Sequence, residues 1–227
     1  MSHNLIRRGL FLATFFAFLS LFSILFIDRP LALWIHSSRI DTFALQSGFR
    51  NVTEGFVKII PILALISVIV FRPIISNLGR VSVIVYIFVL TMVALWIKSG
   101  MKMIFGRYWI ATWKNNNPSL INHGMFGFDW FHGDASYGSS FPSGHIVLMG
   151  VICTTLGFFY PKAKFLWCGL IAVMGFCLIA LNYHFLGDCF AGLALAYLVA
   201  YPGIKLYFKA CALLNIPDLS LDRDFIA

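Results

Sequence analysis

The chain has 227 residues, of which 60% are hydrophobic and only 11% are charged. A soluble domain of this size needs more polar surface than this composition supplies, so we predict an integral membrane protein. The net charge is +8, but the basic residues flank apolar runs and form no dense patch with interleaved aromatic residues. This distribution argues against nucleic acid and favours lipid head groups or a phosphorylated substrate.

Six apolar runs approach the length of about 20 helical residues that crosses a hydrocarbon core. In chain order they span 9–27, 56–71, 81–97, 146–160, 165–183 and 185 to about 207. None of them alternates apolar and polar residues over a long stretch, which argues against barrel strands. We therefore predict an all-α fold, a single membrane domain over residues 1–227 built as a bundle of about six transmembrane helices.

The basic residues favour a cytoplasmic amino terminus. Arg7 and Arg8 precede the first run, and the tight loop 161–164 carries two lysines between the fourth and fifth runs. No cleavage site of the A-x-A type follows the first run, so we interpret it as a retained helix rather than a signal peptide. With six crossings, three points of the chain lie on the outer side: the end of the third run, the start of the fourth run, and the junction of the fifth and sixth runs.

Polar residues concentrate at this predicted outer end. Ionisable groups at such depth are functional candidates by default. The candidates are Lys98, Lys102, Arg107, Ser143, Gly144, His145, His184 and Asp188.

His184 and Asp188 are one helical turn apart and can meet on one face. A carboxylate bonded to one imidazole nitrogen fixes the tautomer and leaves the other nitrogen as a base or nucleophile. A structural bond that closes a helix end is the alternative interpretation.

The segment FPSGHIV, residues 141–147, leads into the fourth run. Ser143 can cap a helix and Gly144 permits close backbone approach, and the free N–H groups of such a helix end bind phosphate. His145 beside an anion site is suited to donate a proton to a leaving oxygen. The same segment, however, would also serve as a simple helix cap.

Arg107 offers a planar fork for bidentate phosphate binding, and Lys98 and Lys102 are point charges one turn apart. Individually these residues would be interface anchors. Together with two histidines they predict a phosphate site with a nucleophile and an acid.

From Lys98 to about Gly192 the sequence resembles the type 2 phosphatidic acid phosphatase (PAP2) superfamily, which includes membrane lipid phosphatases. The most specific matches are PSGH at 142–145 and HFLGD at 184–188, continued as DCFAG. The resemblance implies that His184 forms a phosphohistidine, that Asp188 orients it, and that His145 is the general acid. It also implies that Ser143 and Gly144 bind phosphate.

The chain departs from the family pattern at two phosphate clamps. The first motif, K-x6-R-P, would place an arginine seven positions after the lysine, where Lys102 leads to Trp109 and Lys98 leads to Phe105. The third motif places an arginine six residues before the nucleophile, where this chain has Leu178. Arg107 in a shifted register, with Lys114 as a further candidate, is expected to supply the missing charge.

We therefore expect a metal-independent lipid phosphatase that needs no cofactor and acts at the periplasmic face of a bacterial inner membrane. The expected substrate is lipid A, undecaprenyl pyrophosphate, phosphatidylglycerol phosphate or phosphatidate, chosen by the loop 114–137. Two alternatives are a degenerate PAP2-like lipid-binding or transport subunit and, less favoured in a chain so apolar, a relative of the soluble vanadium haloperoxidases.

Overall fold

The computed structural model of the protein describes residues 2–40, 48, 78–112, 116–134 and 139–214. Within these ranges the chain folds into seven α-helices and a short 3₁₀ turn, Pro161–Ala163, with two isolated β-bridges and no strand. The helices are α1 Ser2–Phe26, α2 Asp28–Ser37, α3 Leu78–Phe105, α4 Leu120–His123, α5 Gly144–Phe159, α6 Lys164–Ala180 and α7 Leu186–Leu214. The predicted all-α fold is confirmed.

Four helical segments in the described ranges are long and apolar enough to cross a membrane. They are Asn4–Phe26, Val83–Phe105, Pro161–Ala180 and Leu186–Leu213, and they correspond to the first, third, fifth and sixth predicted runs. The fourth run forms α5, a shorter apolar helix of 16 residues. The second run, 56–71, lies outside the described residues, so the count of about six stays a prediction.

Helix α3 extends further than its apolar run. It continues from the predicted end at residue 97 to Phe105, so Lys98 and Lys102 lie on its last two turns rather than after it. Long lysine stems can lie along apolar surface while the ammonium group reaches polar surroundings. The helix ends at Gly106, whose positive φ of 55° suits glycine and whose N–H donates to the Lys102 carbonyl at 3.0 Å.

Small residues allow the helices to approach closely. Gly150 of α5 faces the Cβ of Ala196 on α7, and Gly203 of α7 faces the Leu90 side chain on α3. A buried cluster fills the space among these three helices, formed by Leu90, Ala94, Val147, Val151, Leu195 and Ala196. This packing fixes α3, α5 and α7 relative to one another.

The elbow between α1 and α2 closes onto the start of α7. Ser20 Oγ donates to the Gly187 carbonyl at 2.7 Å, and Asn182 Nδ2 donates to the Ala32 carbonyl at 2.9 Å. Since α3 ends, α5 begins and α7 begins at this same end of the bundle, the polar residues of distant segments meet there.

Candidate active site

His184 and Asp188 come together where α6 gives way to α7. His184 lies in the turn before α7, and Asp188 is in the first turn of that helix. The distance from His184 Nδ1 to Asp188 Oδ2 is 3.4 Å, and the Phe185 N–H donates to the same oxygen at 3.2 Å. This geometry favours a proton on Nδ1 and leaves Nε2 as the nitrogen not held by Asp188.

His184 has largely apolar surroundings. It is 2% exposed, and its ring centre lies 5.2 Å from Trp109 and 5.3 Å from Tyr183. Burial lowers the pKa of His184 below its usual range, and the carboxylate of Asp188 opposes this shift. The imidazole is therefore neutral at neutral pH, the state in which a ring nitrogen can act as a nucleophile.

His145 faces His184 from the start of α5. Their ring centres are 6.0 Å apart and the rings are nearly perpendicular. His145 Nδ1 is buried without a partner among the described residues, and so is Ser143 Oγ. Ser143 takes the N-cap position that the sequence predicts, but its side chain makes no capping hydrogen bond. Its hydroxyl is thus available to another ligand.

The two lysines of α3 have different surroundings. A Cβ on Gly144 would lie 3.2 Å from Lys98 Cδ and 3.8 Å from Lys98 Nζ, so the Lys98 ammonium lies beside the first turn of α5. Lys102 is buried, donates from Nζ to the Ser139 carbonyl at 2.6 Å, and lies over the Trp109 ring at 5.1 Å. Lys98 is therefore the lysine nearer to the free N–H groups of α5.

Arg107 lies between two buried carboxylates. Its Nη1 donates to Asp188 Oδ1 at 2.5 Å and its Nη2 donates to Asp28 Oδ2 at 2.7 Å. All three side chains are fully buried, and the guanidinium lies 4.4 Å from the Phe185 ring centre. Because both terminal nitrogens bind carboxylates, the phosphate-binding role that the sequence suggests for Arg107 stays a prediction.

The sequence analysis missed Asp28. Its side chain is fully buried, and Oδ1 accepts the Gly187 N–H at 2.9 Å while Oδ2 accepts from Arg107. Burial raises the pKa of Asp28 above its usual range, although the Arg107 guanidinium opposes this shift. The available signal was an isolated acidic residue at the end of the first apolar run, where an unpaired carboxylate is costly.

The two positions at which the family carries arginines belong to one apolar cluster. Trp109 and Leu178 are both buried and pack together with Ile146, Tyr183 and Cys189. Apolar packing thus occupies both positions at which the family pattern would place an arginine. Lys114, the candidate replacement, lies outside the described residues, as do parts of the loop 114–137.

Comparison with known proteins identifies the family. The family model of the PAP2 superfamily matches residues 82–211, a range that includes all but the first four residues of α3, together with PSGH and HFLGD, but not Asp28. No curated protein and no solved structure matches the chain significantly. Since the family model covers more than half of the chain, the protein belongs to the PAP2 superfamily, and this membership supports a phosphatase-type function.

Proposed function

We propose that the protein is a membrane lipid phosphatase that hydrolyses a lipid-borne phosphate monoester or pyrophosphate through a phosphohistidine at His184. The observation that carries this proposal is the arrangement of two facing imidazoles, His145 at the start of α5 and His184 just before α7, the second of which is bonded to a buried carboxylate. A nucleophile oriented by a third group, with an acid close by, is the arrangement that covalent phosphoryl transfer requires.

In the first step, His184 Nε2 attacks phosphorus and the P–O bond to the leaving group breaks. The proton stays on Nδ1 and remains hydrogen-bonded to Asp188, so the phosphorylated ring is a cationic imidazolium that this carboxylate stabilises. The 3.4 Å contact with Asp188 and the neutral starting state of His184 both support this role.

His145 gives a proton to the leaving oxygen as the P–O bond breaks. In the second step, water attacks phosphorus and transfers a proton to His145. The P–N bond breaks, its electron pair returns to His184, and inorganic phosphate leaves. His145 is thereby protonated again for the next turnover. A positioned acid and base of this kind typically contributes about 10²- to 10⁴-fold in rate.

The start of α5 and Lys98 are proposed to bind the phosphoryl oxygens. The amino-terminal end of a helix carries a partial positive charge, so a lysine beside it is unfavourable unless an anion lies between them. The contact between Lys98 and Gly144 is such a placement. Ser143, with its unpartnered buried hydroxyl, and Lys102 complete the binding set.

The substrate is proposed to be a lipid of the bacterial envelope. Exposed apolar side chains surround the same end of the bundle, including Met103 on α3 and Trp130 and Phe131 in the loop that follows it. The Phe131 N–H donates to the Ile104 carbonyl at 2.7 Å, which fixes this loop to α3. Aromatic residues at such a position are typical of a membrane interface. Lipid A, undecaprenyl pyrophosphate, phosphatidylglycerol phosphate and phosphatidate each present a phosphoryl group at this depth.

A non-catalytic lipid-binding subunit is the second candidate. The apolar cluster of Trp109 and Leu178 favours it, because two phosphate clamps of the family are absent together. The pairing of His184 with a buried Asp188 argues against it, since a chain without catalysis has no need for this costly arrangement.

A panel of purified lipid phosphates tests the proposal. The protein in detergent with a metal chelator and no vanadate should release inorganic phosphate from at least one of the four lipids named above. Brief reaction with a ³²P-labelled lipid should label His184 in the wild type, and His184→Ala should carry no label. Binding of the lipids without phosphate release would favour the non-catalytic subunit, and label on another residue would contradict the mechanism.

A further inference from the structure

The elbow between α1 and α2 brings a second carboxylate to the candidate site from outside the family-matched residues 82–211. Asp28 is held from two sides, by Arg107 Nη2 at 2.7 Å and by the Gly187 N–H at 2.9 Å. A side chain at Gly187 would displace it, because a Cβ there would lie 2.6 Å from Asp28 Oδ2. The position of Asp28 is thus fixed relative to the residue next to Asp188.

The formal charges of this buried group explain why a second carboxylate matters. Arg107 and Asp188 alone would form a neutral pair, and a guanidinium so close would offset the field of Asp188 at His184. With Asp28 on the other terminal nitrogen, two carboxylates share one guanidinium, and the formal charge of the group is −1 when both carboxylates are ionised. Phosphorylation of His184 creates a positive imidazolium, which this charge complements.

We infer that Asp28 is a positioning residue of the active site, which holds Arg107 and keeps the negative charge of Asp188 effective towards His184. The inference rests on the proposed phosphohistidine mechanism. Asp28 touches neither histidine nor the site of the phosphoryl group, so it acts through Arg107 and Asp188.

Other charged groups near these residues must be considered in a test by titration. Asp188, Arg107 and Lys102 act on His184, His184 in turn acts on His145, and Arg107 and Asp188 act on Asp28. The substitution Asp28→Asn changes one charge and leaves the other groups in place. It therefore measures the contribution of Asp28 alone.

Three variants test the inference. Asp28→Asn should slow formation of the phosphohistidine in a single turnover by about tenfold to a hundredfold, as expected for loss of one buried charge, with KM little changed. It should also lower the pKa of His184, followed by NMR of histidine-labelled protein, because less negative charge then remains to stabilise the protonated ring. The double variant Asp28→Asn with Arg107→Gln restores the charge of −1, and its His184 titration should return towards that of the wild type. Ser20→Ala, which removes another contact between α1 and α7, is the matched control and should leave the titration unchanged.

The double variant separates charge from structural support. If Asp28 served the fold alone, removal of both partners would disturb His184 at least as much as removal of one. A wild-type rate and titration in Asp28→Asn would overturn the inference, as would a double variant no closer to wild type than the single one. If Asp28→Asn does not fold, Asp28→Glu is the replacement variant, since it keeps the charge and moves it by one methylene. An unchanged pKa of His184 in Asp28→Glu would also overturn the inference. The titration needs no turnover, so it can be read separately from activity. If the wild type forms no phosphohistidine but Asp28→Asn still shifts the pKa of His184, the proposed function is refuted and the charge effect of Asp28 stands.

Discussion

At the scale of single residues, burial and pairing act in opposite directions on His184. Trp109 and Tyr183 exclude water from the ring, and Leu178 fills the position of a family arginine behind it. In the proposed mechanism, Asp188 compensates the charge that the ring acquires on phosphorylation, so the site would combine a neutral ground state with a stabilised cationic intermediate.

The pH dependence of His184 follows from its burial. Its pKa lies below the ordinary value of about 6.5, so the ring stays neutral and nucleophilic as the pH falls through that value. NMR titration of histidine-labelled protein should place the midpoint of His184 below that ordinary value. The substrate phosphate itself titrates near pH 6, so the acid limb of kcat/KM alone does not report this midpoint. A midpoint at or above the ordinary value would contradict the burial described for His184.

The leaving group tests the role of His145. His145→Ala should slow hydrolysis of a lipid phosphate by about 10²- to 10⁴-fold, because a poor leaving oxygen needs a proton. The same variant should lose much less activity towards a nitrophenyl phosphate, whose leaving group departs without one. Equal losses on both substrates, in a variant shown to be folded and inserted, would assign His145 a structural role instead.

The sequence predicted some of these residues and not their connections. His184 and Asp188 are four positions apart, so the turn before α7 and the first turn of that helix bring them together locally. Asp28 and Asp188 are separated from Arg107 by 79 and 81 positions, and their pairing depends on how α1 and α7 pack. A single sequence contains no periodicity that reports such a contact.

At the scale of elements, α5 and α3 contribute complementary parts of the candidate phosphate site. The first turn of α5 supplies unpaired N–H groups, and the last turns of α3 supply Lys98 beside them. The sequence predicted where α5 begins because PSGH marks a helix start. It did not predict the extent of α3, because polar residues at a helix end resemble a loop when only hydropathy is considered.

The substitution Gly144→Ala tests the contact between these two elements. The added methyl group would lie 3.2 Å from Lys98 Cδ, and the flexible lysine would have to move away from the start of α5. We expect KM to rise about tenfold, the equivalent of about 1.4 kcal/mol, with little change in thermal stability. Gly169→Ala is the control, since a Cβ there meets nothing within 4 Å. An unchanged KM would show that the position of Lys98 does not matter for phosphate binding.

At the scale of the whole molecule, antiparallel helices collect the site at one end of the bundle. The end of α3, the start of α5 and the start of α7 meet there, joined by the hydrogen bond from the Ser143 N–H to the Asp188 carbonyl at 3.1 Å. The sequence predicted this because long apolar helices in a bilayer must alternate in direction. Which end faces the cytoplasm depends on flanking charges, and these only moderately favour one orientation.

Reporter fusions measure this orientation directly. A reporter fused after Lys164, the first residue of α6, should read cytoplasmic, because it follows the short basic segment between α5 and α6, and short loops rich in lysine and arginine are retained inside. A reporter near Asn117, in the segment between α3 and α5, should read periplasmic, since α5 begins at the site end and reaches the other end before Lys164. Alkaline phosphatase, which is active outside, and a fluorescent protein that matures inside give opposite signals at each position.

The same side at both positions would contradict a membrane crossing by α5. The 16 residues of this helix span about 24 Å, so a crossing needs a thin or adjusted bilayer. Opposite sides in the reverse order would keep the crossing but put the released phosphate in the cytoplasm, and the substrate would then be a lipid of the inner leaflet.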